Sequence, residues 1–439
     1  MAIKLDSKQN SYMRNTIIDL SKRLKDNKSL MNGMLFSMFS FIDRGISFLL
    51  LIILARYIMP AEYGQLALFT TIVQLLDFFV ALQTQGFFSI SYFQHKGEQF
   101  RQDTSSISVI LVTCTTLLGV VLFIFQDTLS RLFSLPTLFI WYALIASFIN
   151  IYYNLFKDYL RIQEKVVRYG ILSIGFALMN FVLSIFLVVN QEQGWEGRIY
   201  ASVICTIVFG VLGFFVLYKS NLFAKHITWN GTKMILLWGI PLIPHTTSSW
   251  LKQGCDRLII NGTHTIEDVG VFSFALTMTS IILMIGSAFN STNSVSIFQI
   301  LSTDDPAAKK LSQLKRQTRN IGIIYTISYV LVLLFGTALV PIFLPRYSGS
   351  LPYFWILSLS GYFFCLYFLF VNYLFYYHRN KNIMMITFFT SLVHLGLSLL
   401  LTRYSLYYTA IIHVFSQLIV LLLIVRESQK VIREEVVGS

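Results

Sequence analysis

Pro241–Gly270, PLIPHTTSSWLKQGCDRLIINGTHTIEDVG, is flanked on both sides by apolar segments, yet its middle is unlike lipid-facing sequence. It holds Pro241 and Pro244, His245, a run of Thr and Ser, then Lys252, Asp256 and Arg257. A charged side chain near the bilayer centre costs about 2.5–3.5 kcal/mol on insertion scales. Several in one helix require a polar cavity inside the protein. The prolines free backbone carbonyls that neighbours or water must satisfy. The stretch therefore reads as a bent helix lining an aqueous interior, the inner wall of a transporter.

The rest of the chain agrees. Of its 439 residues 55% are hydrophobic and 13% charged, against roughly 25% charged in soluble domains. This is a polytopic membrane protein, expected to be all α. The first 30 residues are polar and basic and carry no short apolar core of a cleavable signal. Met13, Ile17, Leu20 and Leu24 recur there at helical spacing, so either a helix lying on the inner leaflet or a solvated tail fits. Spans that meet the need for about 20 apolar residues fall at 31–58, 65–93, 106–126, 136–156, 169–190 and 199–218. A second set falls at 234–262, 269–300, 320–343, 351–377, 383–401 and 405–425. The expected organisation is thus a basic N-terminal segment (1–30), a six-span lobe (31–218), a linker (219–233), a second six-span lobe (234–425) and a C-terminal tail (426–439).

The net charge of +13 reads as topology rather than as affinity for nucleic acid. With both termini in the cytoplasm, 26 of the 34 Lys and Arg lie on that side. The outside loops hold only Arg56, Arg131, Arg198, Arg346 and Arg403, the positive-inside pattern. The halves also repeat a short motif 206 positions apart: Pro60-Ala61-Glu62-Tyr63-Gly64 and Ile266-Glu267-Asp268-Val269-Gly270 each precede an apolar span, with an acid and a glycine in register. Two related six-helix bundles are a common transporter plan.

Leu54-Ala55-Arg56-Tyr57-Ile58-Met59-Pro60-Ala61-Glu62-Tyr63-Gly64 resembles the segment closing the first helix of polysaccharide-biosynthesis transporters, the lipid-linked oligosaccharide flippases of Wzx (O-antigen) type. Pro241 through Asp256-Arg257 to Gly270 is similar to the seventh helix of that family, although Gly270-Val271-Phe272 stands where the family often has Gly-x-Tyr. The family shares a superfamily with the MATE drug exporters. The resemblance implies two lobes around a central cavity that opens alternately to each side. It also implies a cargo, an undecaprenyl-pyrophosphate-linked sugar repeat unit moved outward across a bacterial inner membrane. Expected partners are that lipid-linked oligosaccharide, membrane lipids and other polysaccharide-assembly proteins. No cofactor is expected beyond H+ or Na+ coupling.

The candidate site residues are the charges and amides that lipid would not tolerate. Asp43 and Arg44 fall mid-span, about 100° apart on a helix. Two readings stay open, a cavity lining or satisfaction by a neighbouring helix, Arg44 with Asp77. Lys252 and Asp256 are four apart and so positioned for a local pair. Arg257 either lines the cavity or snorkels to headgroups. His245, His394 and His413 lie in spans and are read as packing before proton carriage. The run Asn290-Ser291-Thr292-Asn293-Ser294 either lines the cavity beside Pro241–Arg257 or knits helices. Arg44, Lys252, Arg257, His245, Asn290 and Asn293 are thus the cavity candidates, and Asp43, Asp77 and Asp256 the coupling or structural acids.

The sequence carries no Gly-rich nucleotide loop with Lys, no HExxH and no paired-cysteine metal spacing, so a transporter is expected rather than an enzyme. A cation-coupled drug exporter is the alternative. A membrane polymerase or ligase, which would need a large outside loop, is the third reading.

Overall fold

The computed structural model describes residues 28–437, so the expected amphipathic segment, with Met13 to Leu24, lies outside the described residues. The described chain is helical throughout. The first half comprises α1 (Lys28–Leu54), α2 (Pro60–Ala81), the short α3 (Gln85–Gln94), α4 (Glu98–Phe133), α5 (Thr137–Ile162), α6 (Val166–Ile185) and α7 (Gly194–Lys219). The second comprises α8 (Trp229–Gly239), α9 (Ile243–Thr263), α10 (Ile266–Leu301), α11 (Ala307–Phe343), α12 (Leu351–Tyr376), α13 (Asn380–Leu401) and α14 (Leu406–Ile432).

Among the described residues eleven helices are long and apolar enough to cross a membrane. The twelfth crossing of the expected plan is the α8–α9 pair, too polar to qualify by composition and broken as its prolines require. Proline lacks the N–H and clashes with the preceding turn, and one tight turn at Ile240–Leu242 joins the two pieces. Of the carbonyls that the prolines free, that of Ile240 is met by the Ile243 N–H, and the hydroxyls that follow bond back to the preceding turn. Thr247 Oγ1 donates to Ile243 O at 2.9 Å, Thr246 Oγ1 to the same oxygen at 3.1 Å and Ser248 Oγ to Pro244 O at 3.0 Å. The Thr and Ser run thus turns its hydroxyls onto its own backbone.

Packing repeats between the halves. In the first, α2 packs on α4 and α5, α5 on α7, and α1 on α6; in the second, α10 packs on α11 and α12, α12 on α14, and α9 on α13. Each contact recurs six spans later, the arrangement of two pseudo-symmetric bundles. The halves meet chiefly along α2 and α10, with α1 also against α10 and α2 against α9.

Several expected boundaries shift. The second span stops at Ala81 rather than 93, because Leu82 and Gln83 adopt left-handed backbone (φ 45° and 59°) before α3 begins. That bend receives the end of α8: a side chain on Gly239 would collide with the Leu82 carbonyl, so only glycine permits the approach. Helix α4 runs well beyond 106–126, α8 begins inside the expected linker, and α14 continues through the first half of the expected C-terminal tail. Polar turns at helix ends extend past the apolar core, which hydropathy alone does not register.

Candidate functional site

The repeated motif closes one end of the seam between the halves. Both acids act alike: Glu62 Oε2 accepts the Met59 N–H at 2.8 Å, and Asp268 Oδ2 accepts the Thr265 N–H at 3.1 Å. Each thereby satisfies an orphan donor at the start of its long helix. The two glycines face each other. A Cβ on Gly64 would strike the Ile266 carbonyl, and one on Gly270 would strike the Pro60 carbonyl and lie 3.0 Å from Gly64 N. The first turns of α2 and α10 therefore touch backbone to backbone. Tyr63 donates its hydroxyl to Thr277 Oγ1 at 2.8 Å, and Tyr347 donates to the Ile58 carbonyl at 2.9 Å. The rings of Tyr63, Phe274 and Tyr347 pack edge to face and tilted across the same seam.

Deeper along α10 the halves part. A pocket of about 360 Å³ is lined by Arg44 and Phe48 of α1, Ser280, Leu283, Met284 and Ser287 of α10, and Phe364 and Phe368 of α12. Ser280 to Ser287 lie ten to seventeen positions beyond Gly270, hence about 15–25 Å from the closed end at 1.5 Å per residue. Arg44 is exposed and makes no ion pair or hydrogen bond among the described residues. The expected pairing with Asp77 is not formed. Asp77 instead faces Ser147 of α5 and leaves Oδ1 buried without a partner. Asp43, next to Arg44 in sequence, turns into the first half, where Ser173 Oγ donates to it at 3.0 Å and Lys157 Nζ lies 4.0 Å away. Lys157 was not singled out by sequence, because it sits at the polar end of a span; its Asp43-facing position inside α5 belongs to the fold.

Helix α9 presents two faces to two different neighbours. Toward α2, Trp250 Nε1 donates to the Thr71 carbonyl at 3.0 Å and Arg257 Nη1 to Thr71 Oγ1 at 3.3 Å. Arg257 therefore does not snorkel to headgroups; it crosses the seam, with Nε buried and unpartnered. On the opposite face Asp256 is fully buried between α13 and α14, its Oδ2 lying 3.0 Å from His394 Nε2 and 2.8 Å from His413 Nε2. The expected Lys252–Asp256 pair is not formed. Lys252 shares the Asp256 face, half-buried and close enough to His413 for their charges to interact, and does not line the Arg44 pocket. The His245 side chain lies outside the described residues.

The polar run of α10 ties helices together. Asn372 Nδ2 of α12 donates to Asn290 Oδ1 at 2.8 Å, and Gln317 Nε2 of α11 to Asn293 Oδ1 at 3.1 Å. Ser287, one turn earlier, reaches the pocket. Arg198, placed by sequence in an outside loop, starts α7 and donates to Asn180 Oδ1 at 2.8 Å and to Ser184 Oγ at 3.3 Å. Thr71 and Tyr347, both seam residues, carried no sequence signal, since a Thr in a span and a Tyr in the short turn between two spans are ordinary.

Comparison with known proteins agrees with this architecture. The family described as polysaccharide biosynthesis protein matches residues 29–298. Protein 1 of the Lsg locus of Haemophilus influenzae is 23% identical over 364 residues, covering 81% of this chain and 87% of that protein. Among solved structures, the lipid II flippase MurJ in an inward closed conformation matches with a TM-score of 0.71 at 15% identity, covering 92% of this chain and 90% of that one. An inward-facing multidrug-resistance MATE transporter of the MOP superfamily matches with a TM-score of 0.67 at 14% identity, covering 91% and 95%. At such identities the structures speak to the fold.

Proposed function

The chain belongs to the polysaccharide biosynthesis protein family, and from that premise we propose that it is a flippase for a lipid-linked oligosaccharide with an anionic, pyrophosphate-type head group. The observation that carries this reading is Arg44, an exposed guanidinium with no ion pair among the described residues, at mid-span between the halves. A charge at that depth faces the bundle interior or a water-filled cavity and marks a substrate or ion pathway. Guanidinium presents fixed donors that match phosphate oxygens, and the low surrounding dielectric strengthens their attraction. Serine hydroxyls of α10 offer hydrogen bonds on the facing wall, and the lipid tail stays in the membrane at the seam.

The charge bias of the loops supports placing the Gly64–Gly270 end outside and the termini in the cytoplasm, so the pocket serves a cargo arriving from the inner leaflet of a bacterial inner membrane. The undecaprenyl carrier and O-antigen-type repeat unit rest on the family likeness. An exporter of cationic drugs would be served by an acid in the pocket, whereas Asp43 and Asp77 both turn into the first half.

The test is substitution of Arg44 with membrane abundance and surface polysaccharide measured together. Arg44→Ala should lose surface polysaccharide at unchanged abundance, and Arg44→Lys should retain part of it, keeping charge without the planar donors. Normal polysaccharide in a stably expressed Arg44→Ala protein, with or without Lys252→Ala, would end the anionic-cavity reading.

A further inference from the structure

Away from the Arg44 pocket, three side chains from three helices converge in the second half: Asp256 of α9, His394 of α13 and His413 of α14. Their ligand atoms all lie within 4.8 Å of one another. Asp256 and His394 are fully buried, and the His413 side chain is 8% exposed. Hydrogen bonding among them is incomplete. His413 Nε2 lies 2.8 Å from Asp256 Oδ2 without hydrogen-bond geometry, and Asp256 Oδ1 has no partner at all. A buried carboxylate oxygen and a buried imidazole nitrogen are thus left unsatisfied within one three-residue cluster.

We propose that Asp256, His394 and His413 form a site for a divalent transition-metal ion of the zinc class, which pins α9 to α13 and α14. The donor set fits that chemistry: imidazole nitrogen suits zinc, copper, iron or nickel, whereas calcium and magnesium prefer oxygen. Two ligands about 2.1 Å from one zinc at tetrahedral angles stand about 3.4 Å apart, so the observed 2.8 and 3.0 Å separations need only a small relaxation. Ser416 Oγ lies 3.0 Å from His394 Nδ1. Accepting the Nδ1–H there, it would hold the tautomer whose Nε2 lone pair is free for metal. Charge argues the same way, since a fully buried carboxylate is unfavourable without a cation and Asp256 has no Lys or Arg within ion-pair distance among the described residues. Lys252, one turn away on the same face, lowers the affinity without supplying a ligand.

The consequence is mechanical. Helix α8 packs against α3 and α4 of the first half, while α9, beyond the proline break, packs on α13 of the second half and on α2 of the first. A metal at Asp256 would fix the α13-facing side of α9 to the second half, while Trp250 and Arg257 on its other side hold Thr71 of α2. This inference does not depend on the transport reading, because its readout is metal content.

The experiment uses the full chain in lipid nanodiscs, dialysed against buffered zinc and then measured by elemental analysis, with cobalt(II) as a spectroscopic substitute. The wild-type chain should retain equimolar zinc and show tetrahedral cobalt absorption. His413→Gln should lose both. Ser416→Ala, which removes no ligand, should bind about 10–100-fold more weakly, and Lys252→Met should bind more tightly. If the histidine variant does not fold, Ser416→Ala and Lys252→Met still decide. Monodisperse wild-type protein that retains no zinc, cobalt, nickel, copper, iron or manganese would overturn the proposal and leave the cluster a proton-bearing hydrogen-bond network. Zinc affinity unmoved in both Ser416→Ala and Lys252→Met would also overturn it, placing the metal elsewhere.

Discussion

Substituting Gly270 by Ala probes the closed end of the seam directly. The added Cβ meets the Pro60 carbonyl, and Gly64 N lies 3.0 Å away. Both obstacles are backbone, so no rotamer change relieves the clash, and α2 and α10 must separate. Overpacking of this kind costs about 1–3 kcal/mol. The cost falls only on the conformation in which this end is closed, so the equilibrium shifts about 5–150-fold toward separation. The reporter is Thr277→Cys, in a chain with its four cysteines replaced, labelled by a membrane-impermeant maleimide. Thr277 receives the Tyr63 hydroxyl at this interface, so it is shielded while the end is closed. Labelling per mole of protein should rise by that factor in Gly270→Ala, and surface polysaccharide should fall at steady abundance. Unchanged labelling together with unchanged polysaccharide would refute the argument that α2 and α10 close the pathway here.

Asp43→Asn should lower membrane abundance by stranding Lys157, at a cost of about 1–3 kcal/mol for an unpaired buried polar group, and a second change, Lys157→Met, should restore it. If abundance is unmoved by Asp43→Asn, the acid is free for another role. Asp77 has no cation beside it among the described residues and one unsatisfied oxygen, so we predict that Asp77→Asn removes the dependence of transport on a proton or sodium gradient; persistence in a double mutant with Asp43→Asn rules both acids out. Asn290→Leu should lower thermal stability by only about 0.6 kcal/mol, typical of an interhelical bond in a membrane, and leave surface polysaccharide intact. Loss of polysaccharide at normal stability would make Asn290 a cargo contact.

Sequence alone determined what is written along one dimension. Hydropathy fixes the membrane class and most of the spans, because a crossing in contact with lipid must be apolar over about 20 consecutive residues. The broken helix followed from Pro241, Pro244 and an intramembrane Thr and Ser run, since proline acts on its own turn. The repeat itself was visible as an acid and a glycine in register, Glu62 with Asp268 and Gly64 with Gly270, but that the two glycines touch across the seam came from the structure. Partners were decided only by tertiary structure. From spacing, Asp256 had Lys252 four residues away, but an (i, i+4) pair contributes only about 0.2–0.5 kcal/mol. Packing instead brought His394 and His413 to Asp256 from 138 and 157 positions along the chain, and a hydrogen bond to a charged group contributes about 1.5–3 kcal/mol. The same rule sends Asp43 to Ser173 and Lys157, turns Arg257 onto Thr71, and leaves Arg44 facing the pocket. Which face a charge presents is set by its own helix, and what waits opposite that face is set by helices distant in sequence.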